Sequence, residues 1–154
     1  MQLSAVTSAY FLGFLGGSIA APGIISRVGH VRVFAALASF ISATLILYPV
    51  IPIFWAWVVL RILIGFCFSG VYVTAESWLN NSATNNTRGQ ILSLYIIVQM
   101  AGLVAWQALL NIGAPEGYLL FIAASVLVSI SFAPILLSVS PGPAFEETKK
   151  MSFK

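Results

Sequence analysis

The sequence stands out first for the residues it lacks. Its 154 residues include no aspartate, one cysteine (Cys67) and one histidine (His30). This inventory excludes a disulfide framework and a zinc site of cysteines and histidines. It also excludes the paired aspartates or the His-Glu-x-x-His motif that intramembrane proteases need. The sequence therefore predicts neither an enzyme nor a metal site nor a cofactor.

Charged residues are almost as scarce. They make up 7% of the chain, whereas a soluble globular domain contains about a quarter. Hydrophobic residues make up 60%, and the mean hydropathy is +1.00. So few charges cannot cover a water-facing surface, so the composition predicts a protein whose main partner is the lipid bilayer.

Apolar runs of about 20 residues, the length that crosses a bilayer core, occur five times. Each run is predicted to be a helix, because a backbone in lipid must satisfy its own hydrogen bonds. The predicted fold is all-α and polytopic, with a transmembrane domain over residues 1–139 and a linker or tail over residues 140–154. The five predicted transmembrane helices are Ser4–Ile25, Val33–Val50, Ile53–Val73, Ile91–Ile112 and Tyr118–Leu137.

Basic residues gather on one side of the predicted membrane. Six of the seven follow the first span, the third span or the fifth, whereas the connections Pro49–Pro52 and Gly113–Gly117 contain none. By the positive-inside rule that side, including the C-terminus, faces the cytoplasm of a cell membrane. The net charge of +3 is thus a topology signal and predicts no nucleic-acid partner. The six residues are Arg27, Arg32, Arg88, Lys149, Lys150 and Lys154.

This orientation places Met1 outside the cell. A first span that serves as a signal peptide is one explanation, but the residues before it lack a base and the apolar run is long. A missing helix upstream is the more economical expectation.

Arg61 is the one charged residue inside a predicted span. An arginine near a helix centre costs about 2.5–3.5 kcal/mol on insertion scales. One interpretation is that Arg61 contacts a substrate or coupling ion in a water-filled cavity. The other is that its side chain extends to the membrane surface or contacts a neighbouring helix. At 100° per residue it shares a face with Gly65, Ser69, Tyr72 and Glu76. Close helix packing accounts for Gly65 and Ser69, but not for Arg61 and Tyr72.

Two other spans have faces unlike lipid. Gly13, Gly17 and Ala21 follow one another at four-residue spacing in the first span, a pattern typical of close helix packing. Gln99 and Trp106 share a face of the fourth span. A buried glutamine must be hydrogen-bonded, and a neighbouring helix or a substrate are equally good partners.

Glu76 lies just beyond the third span, on the basic side. It is predicted either to pair with Arg27, Arg32 or Arg88 in a latch that breaks when the helices rock, or to remain an interfacial carboxylate in water.

These features resemble the major facilitator superfamily of transporters. The segment 26–32 is similar to the loop between the family's second and third helices. Arg61, with Gly65 four residues later, resembles the family's fourth-helix pattern, and 87–89 fits the start of the following helix. The run Glu76-Ser77-Trp78-Leu79-Asn80 resembles a poorly characterised bacterial subgroup.

The resemblance implies that the chain is a partial bundle, helices two to six of a twelve-helix protein. It implies secondary, alternating-access transport of a small solute, with or without a coupling ion, together with the remaining helices of the same transporter. The predicted substrate or coupling cavity comprises Arg61, Gly65, Tyr72, Gln99 and Trp106. The predicted cytoplasmic gate comprises Arg27, Gly29, Arg32, Glu76 and Arg88.

The chain also departs from the family pattern. Ser26 replaces the acid of the loop motif, and Gly102 is not followed by the proline of drug antiporters. No acidic residue lies inside a span, so any proton coupling depends on other helices. The alternative function is a stand-alone five-helix assembly or auxiliary subunit. We expect the isolated chain not to transport.

Overall fold

The computed structural model of the chain consists of five α-helices, and it describes residues 2–112 and 118–137. Those residues contain no β-strand. A single residue, Gly29, separates the first two helices, and residues 51–53 separate the second from the third. The helices are α1 (Gln2–Val28), α2 (His30–Val50), α3 (Phe54–Ser82), α4 (Arg88–Ile112) and α5 (Leu119–Leu137).

The helices have the length and composition of membrane spans. The predicted all-α polytopic membrane fold is confirmed, whereas the predicted tail, residues 140–154, and the loop 113–117 lie outside the described residues. Four helices are long and apolar enough to cross a bilayer, over Val6–Val28, His30–Val50, Phe54–Ser82 and Arg88–Ala108.

The two ends of the bundle differ in chemistry. Arg27 ends α1, Arg32 begins α2 and Arg88 begins α4, so we call this the basic end. At the opposite end, Pro49 and Pro52 flank the turn between α2 and α3, and we call it the proline end.

Helix α3 continues well past Val73, where the apolar run ends, to Ser82. The polar segment between them contains neither glycine nor proline, so nothing in it stops a helix. Its first residue, Thr74, donates its hydroxyl to the carbonyl of Gly70 at 2.6 Å and stays buried. The apolar run that ends at Val73 therefore corresponds to the lipid-facing part of α3, whereas the helix itself continues to Ser82.

Helices α1 and α3 run parallel in direct backbone contact. A Cβ atom added to Gly13 would overlap the backbone of Ile62. One turn further, a Cβ atom on Gly17 would overlap the backbone of Phe66. Ala21, the next residue at this spacing, is 2% exposed. The close packing predicted from the four-residue spacing is confirmed, because only residues without a side chain allow this approach.

Helix α2 lies between α3 and α5. Toward α3 it buries Leu37, which packs in a core with Cys67. Toward α5 it presents Ser42, whose hydroxyl oxygen is 2.7 Å from that of Ser125 and 2.9 Å from that of Ser129. Apolar packing thus joins α2 to α3, whereas hydroxyl groups join it to α5.

Helix α4 is set apart from this core. It makes little contact with α3, next to a groove near the basic end that Glu76 and Tyr95 line, and none of the residues in its most apolar stretch is buried. Its large side chains, such as Leu94, Ile97 and Val104, are exposed. Most of this helix therefore presents an apolar surface to its surroundings.

Candidate functional site

Arg61 lies in α3, seven residues after Phe54 at the proline end. At 1.5 Å per residue this is about 10 Å into the helix, so the charge is below the membrane surface. The guanidinium carbon is 5.8 Å from the centroid of the Tyr10 ring of α1. That distance lies within the range of a cation–π interaction.

Gly65 brings Tyr10 to this position. A Cβ atom on Gly65 would overlap the carbonyl oxygen of Tyr10. The absence of a side chain therefore lets the α1 backbone close onto α3 one turn from Arg61. Gly65 is predicted to line the cavity, and in this structure it allows the backbones of α1 and α3 to touch.

Tyr48 approaches Arg61 from the end of α2. Its side chain is 8% exposed, between the rings of Trp57 and Phe121, whose centroids are 6.2 and 6.4 Å away. The phenol packs with Leu60 and Ile64 of α3, which lie within one turn of Arg61. Its hydroxyl is nevertheless buried and has no hydrogen-bond partner with acceptable geometry among the described residues.

The charge of Arg61 is not neutralised within the described part of the chain. Its Nε atom is buried and has no hydrogen-bond partner there. Glu76 is the one acidic residue in that part, and it follows Arg61 by fifteen residues on the same helix. This is a separation of about 22 Å along the helix axis. A buried donor without a partner costs about 1–3 kcal/mol, so the arrangement needs a reason.

Three tyrosines form a line of polar groups between Arg61 and Glu76. Tyr10 lies beside Arg61. Tyr72 lies on α3 between Arg61 and Glu76, and Tyr95 of α4 lines one groove with Val73 and Glu76. We call Tyr10, Tyr72 and Tyr95 the tyrosine line. It runs from the level of Arg61 to the basic end.

The two predicted cavity residues of α4 do not join Arg61 in this structure. Gln99 and Trp106 are both partly buried. No hydrogen bond or ring contact connects either of them to Arg61 among the residues that the structure describes. Their place in the cavity stays a prediction.

The predicted gate residues lie at the basic end. Glu76 lines a groove of about 590 Å³ between α3 and α4, together with Ser77, Asn80 and Tyr95. Arg27, Arg32 and Arg88 are exposed, and in the described residues none of them forms an ion pair with Glu76. The latch stays a prediction, since this structure holds one conformation.

Gly29 and His30 together form the tight connection at the basic end. Gly29 has a φ of 86°, in the left-handed region that disfavours any side chain. His30 follows it, is 3% exposed, and lies with Nε2 3.0 Å from the hydroxyl of Ser77 in α3. This contact ties the start of α2 to the polar extension of α3.

The sequence pattern did not indicate that Tyr10, Tyr48 and Tyr95 belong to the site. Each is an amphipathic ring within an apolar helix, which is a detectable signal. The spacing within one helix predicts neighbours on that helix only, and each of these rings lies on a different helix from Arg61. Their relevance depends on how the helices dock.

The five apolar helices and the arginine inside α3 define the class of protein, a polytopic α-helical membrane protein. A family model described as "Sugar (and other) transporter" matches residues 1–149. The chain therefore belongs to this family of major facilitator transporters.

Relatives agree with this assignment. Proteins named "Uncharacterized MFS-type transporter" in Yersinia pestis (strain Pestoides F) and Yersinia enterocolitica are 32% identical over 138 residues. The match covers 89% of this chain and 36% of each relative. The "Uncharacterized MFS-type transporter YcaD" of Salmonella arizonae is 30% identical over 71% of this chain and 29% of its own length. The chain thus spans about a third of its curated relatives. No solved structure matches it.

Proposed function

We propose that this chain forms part of the solute pathway of a secondary transporter of the major facilitator type. One observation carries the proposal: Arg61 lies inside α3 beside the Tyr10 ring, with a buried Nε donor that has no partner among the described residues. Polar and ionisable residues inside a membrane are expensive, and they commonly mark substrate or ion pathways. Family membership supports the same function.

The remaining helices of the same transporter are the proposed partners of this chain. The chain spans about a third of its relatives, and α4 leaves a long apolar surface uncovered. In transporters of this kind the substrate site lies between two halves that open alternately. Further helices of the same polypeptide would cover α4 and close the other side of the cavity.

We further propose that the basic end faces the cytoplasm of the cell membrane. The three arginines at that end support this orientation by the positive-inside rule. In intact cells, a cysteine introduced at Asn86 should resist a membrane-impermeant maleimide, whereas one introduced at Ile51 should react. Cys67→Ser provides the background without a native thiol. Reaction at Asn86 and protection at Ile51 would reverse the orientation.

The gate residues Glu76, Arg27, Arg32 and Arg88 are proposed to pair in another conformation. Glu76 is exposed on its groove and is free to move toward a basic partner. Breaking such pairs would accompany the opening of the basic end.

Transport itself is tested with proteoliposomes. One set contains this chain alone, and a second contains it with any in-frame flanking helices. Labelled glucose and gluconate serve as neutral and anionic probes. We expect uptake only in the second set, because one side of the pathway is open in the first. Uptake by this chain alone contradicts the proposal that further helices are required. Absence of uptake in both sets, with the chain bound to another membrane protein, favours the assembly-subunit function.

A further inference from the structure

We propose that Arg61 and Tyr48 form a binding site for the carboxylate group of a small anionic solute, covered on one side by the ring of Tyr10. The proposal deepens the proposed transport function and rests on it for its biological role. Binding itself is a property of this chain, and it is measured separately from transport.

The first argument is the sign of the charge. Arg61 brings a guanidinium cation to this position. Within the described residues the nearest carboxylate in sequence is Glu76, at the other end of the tyrosine line. The tyrosines around Arg61 are neutral and offer no compensating charge. An anion therefore gains a Coulombic attraction here that a neutral solute does not, and a cation is repelled.

The second argument is the supply of hydrogen-bond donors. A guanidinium carries five N–H donors in a planar fork, and a carboxylate accepts in the same geometry. The Nε donor of Arg61 and the Tyr48 hydroxyl are both without partners in the described chain. Both atoms are closed to solvent in this conformation, so a solute reaches them only when the side chains around them move apart. Two oxygens of one carboxylate would satisfy both donors at once.

The third argument is that the surrounding groups are fixed before a solute arrives. The close approach at Gly65 holds the Tyr10 ring beside the guanidinium. The rings of Trp57 and Phe121 hold the Tyr48 phenol. Arg61 keeps part of its surface exposed, which leaves an approach for a solute. The aromatic walls of the site are thus already in place, and binding requires only that access to the two donors opens.

The test compares acids with neutral partners of similar size. The purified chain in a neutral detergent is titrated calorimetrically with acetate and acetamide, benzoate and benzamide, and gluconate and glucose, at constant ionic strength. We expect at least one acid to bind about tenfold or more tightly than its neutral partner, because a charge-assisted hydrogen bond contributes that much. If no acid exceeds its neutral partner, the proposal is wrong.

Variants then locate the site. Arg61→Gln is expected to abolish the preference for the acid, and Tyr48→Phe, which keeps the ring and loses only the hydroxyl, is expected to weaken acid binding several-fold. Arg32→Gln is the matched control, because Arg32 is exposed at the basic end. Equal losses in Arg61→Gln and Arg32→Gln would place the anion elsewhere. Tyr48→Phe addresses the site even if Arg61→Gln fails to fold.

The outcomes also separate this proposal from the transport function. Acid binding by this chain without uptake by the longer polypeptide would keep the anion site and reject the transporter. Uptake by the longer polypeptide, together with no acid that binds more tightly than its neutral partner, would keep the transporter and reject the anion site.

Discussion

Helices α1 and α4 both pack against α3, and they do so in opposite ways. α1 presents Gly13 and Gly17, and its backbone touches the backbone of α3. α4 presents bulky side chains and makes little contact with α3, next to a groove near the basic end. Around Gly102 of α4 there is open space. Bulky apolar residues gain little from each other in lipid, because the lipid tails are equally apolar. Close contact in this bundle therefore follows the small residues and not the hydrophobic ones.

The largest expected effect comes from filling the α1–α3 contact. Gly13→Ala should lower the free energy of unfolding by about 3 kcal/mol, because the added Cβ overlaps the Ile62 backbone and the helices must separate. Unfolding of the chain by SDS, followed by circular dichroism, measures the change.

The matched control is the same substitution on α4. Gly102→Ala adds a Cβ atom with no heavy atom within 4 Å. Higher helix propensity should stabilise that variant by up to about 1 kcal/mol. Equal destabilisation by the two substitutions would show that the contrast between α1 and α4 does not decide stability.

A substitution at Arg61 of α3 changes the charge of the helix interface, whereas the glycine substitutions change its volume. Arg61→Leu should raise the free energy of unfolding by about 2 kcal/mol, because it replaces a partly buried, unpaired cation with an apolar side chain. Acid binding by the same variant should be lost, a common exchange of stability against function. A thermal melt in detergent measures the first effect. Destabilisation would indicate that the contact with Tyr10 outweighs the burial of the charge.

The smallest effect is expected at the contact of α2 with α5, where hydroxyl groups take the place of close backbone packing. Ser42→Ala removes the bonds to Ser125 and Ser129 and should cost about 1 kcal/mol, since interhelical hydrogen bonds in membranes average about 0.6 kcal/mol. Ser39→Ala is the control, because Ser39 bonds only within its own helix, to Ala35. A loss as large as that of Gly13→Ala would place the serine contact on a par with backbone packing.

Much of the fold could be predicted from the sequence because the bilayer imposes its thickness on every span. The length of the apolar runs sufficed for the helices, and the spacing of Gly13 and Gly17 sufficed for a packing face. The ends of the helices were less predictable from the sequence. Helix α3 continues to Ser82, because polar residues outside the lipid are as compatible with a helix as apolar ones.

The site was only half predictable. Arg61 is conspicuous in any apolar run, so it was found. The phenols of Tyr10 and Tyr48 were not, because their proximity depends on the register in which three helices dock. The same holds for His30, which begins α2 beside Ser77. Sequence periodicity describes single helices and contains no information on that register.

The position of Arg61 along the chain has a consequence for how the protein is made. Tyr10 and Tyr48 both precede Arg61, and chains are synthesised and fold from the N-terminal side. The two aromatic side chains therefore leave the ribosome before the arginine does. When α3 enters the bilayer, the helices that contact its cation have already been synthesised, and α3 can insert against them instead of against lipid alone.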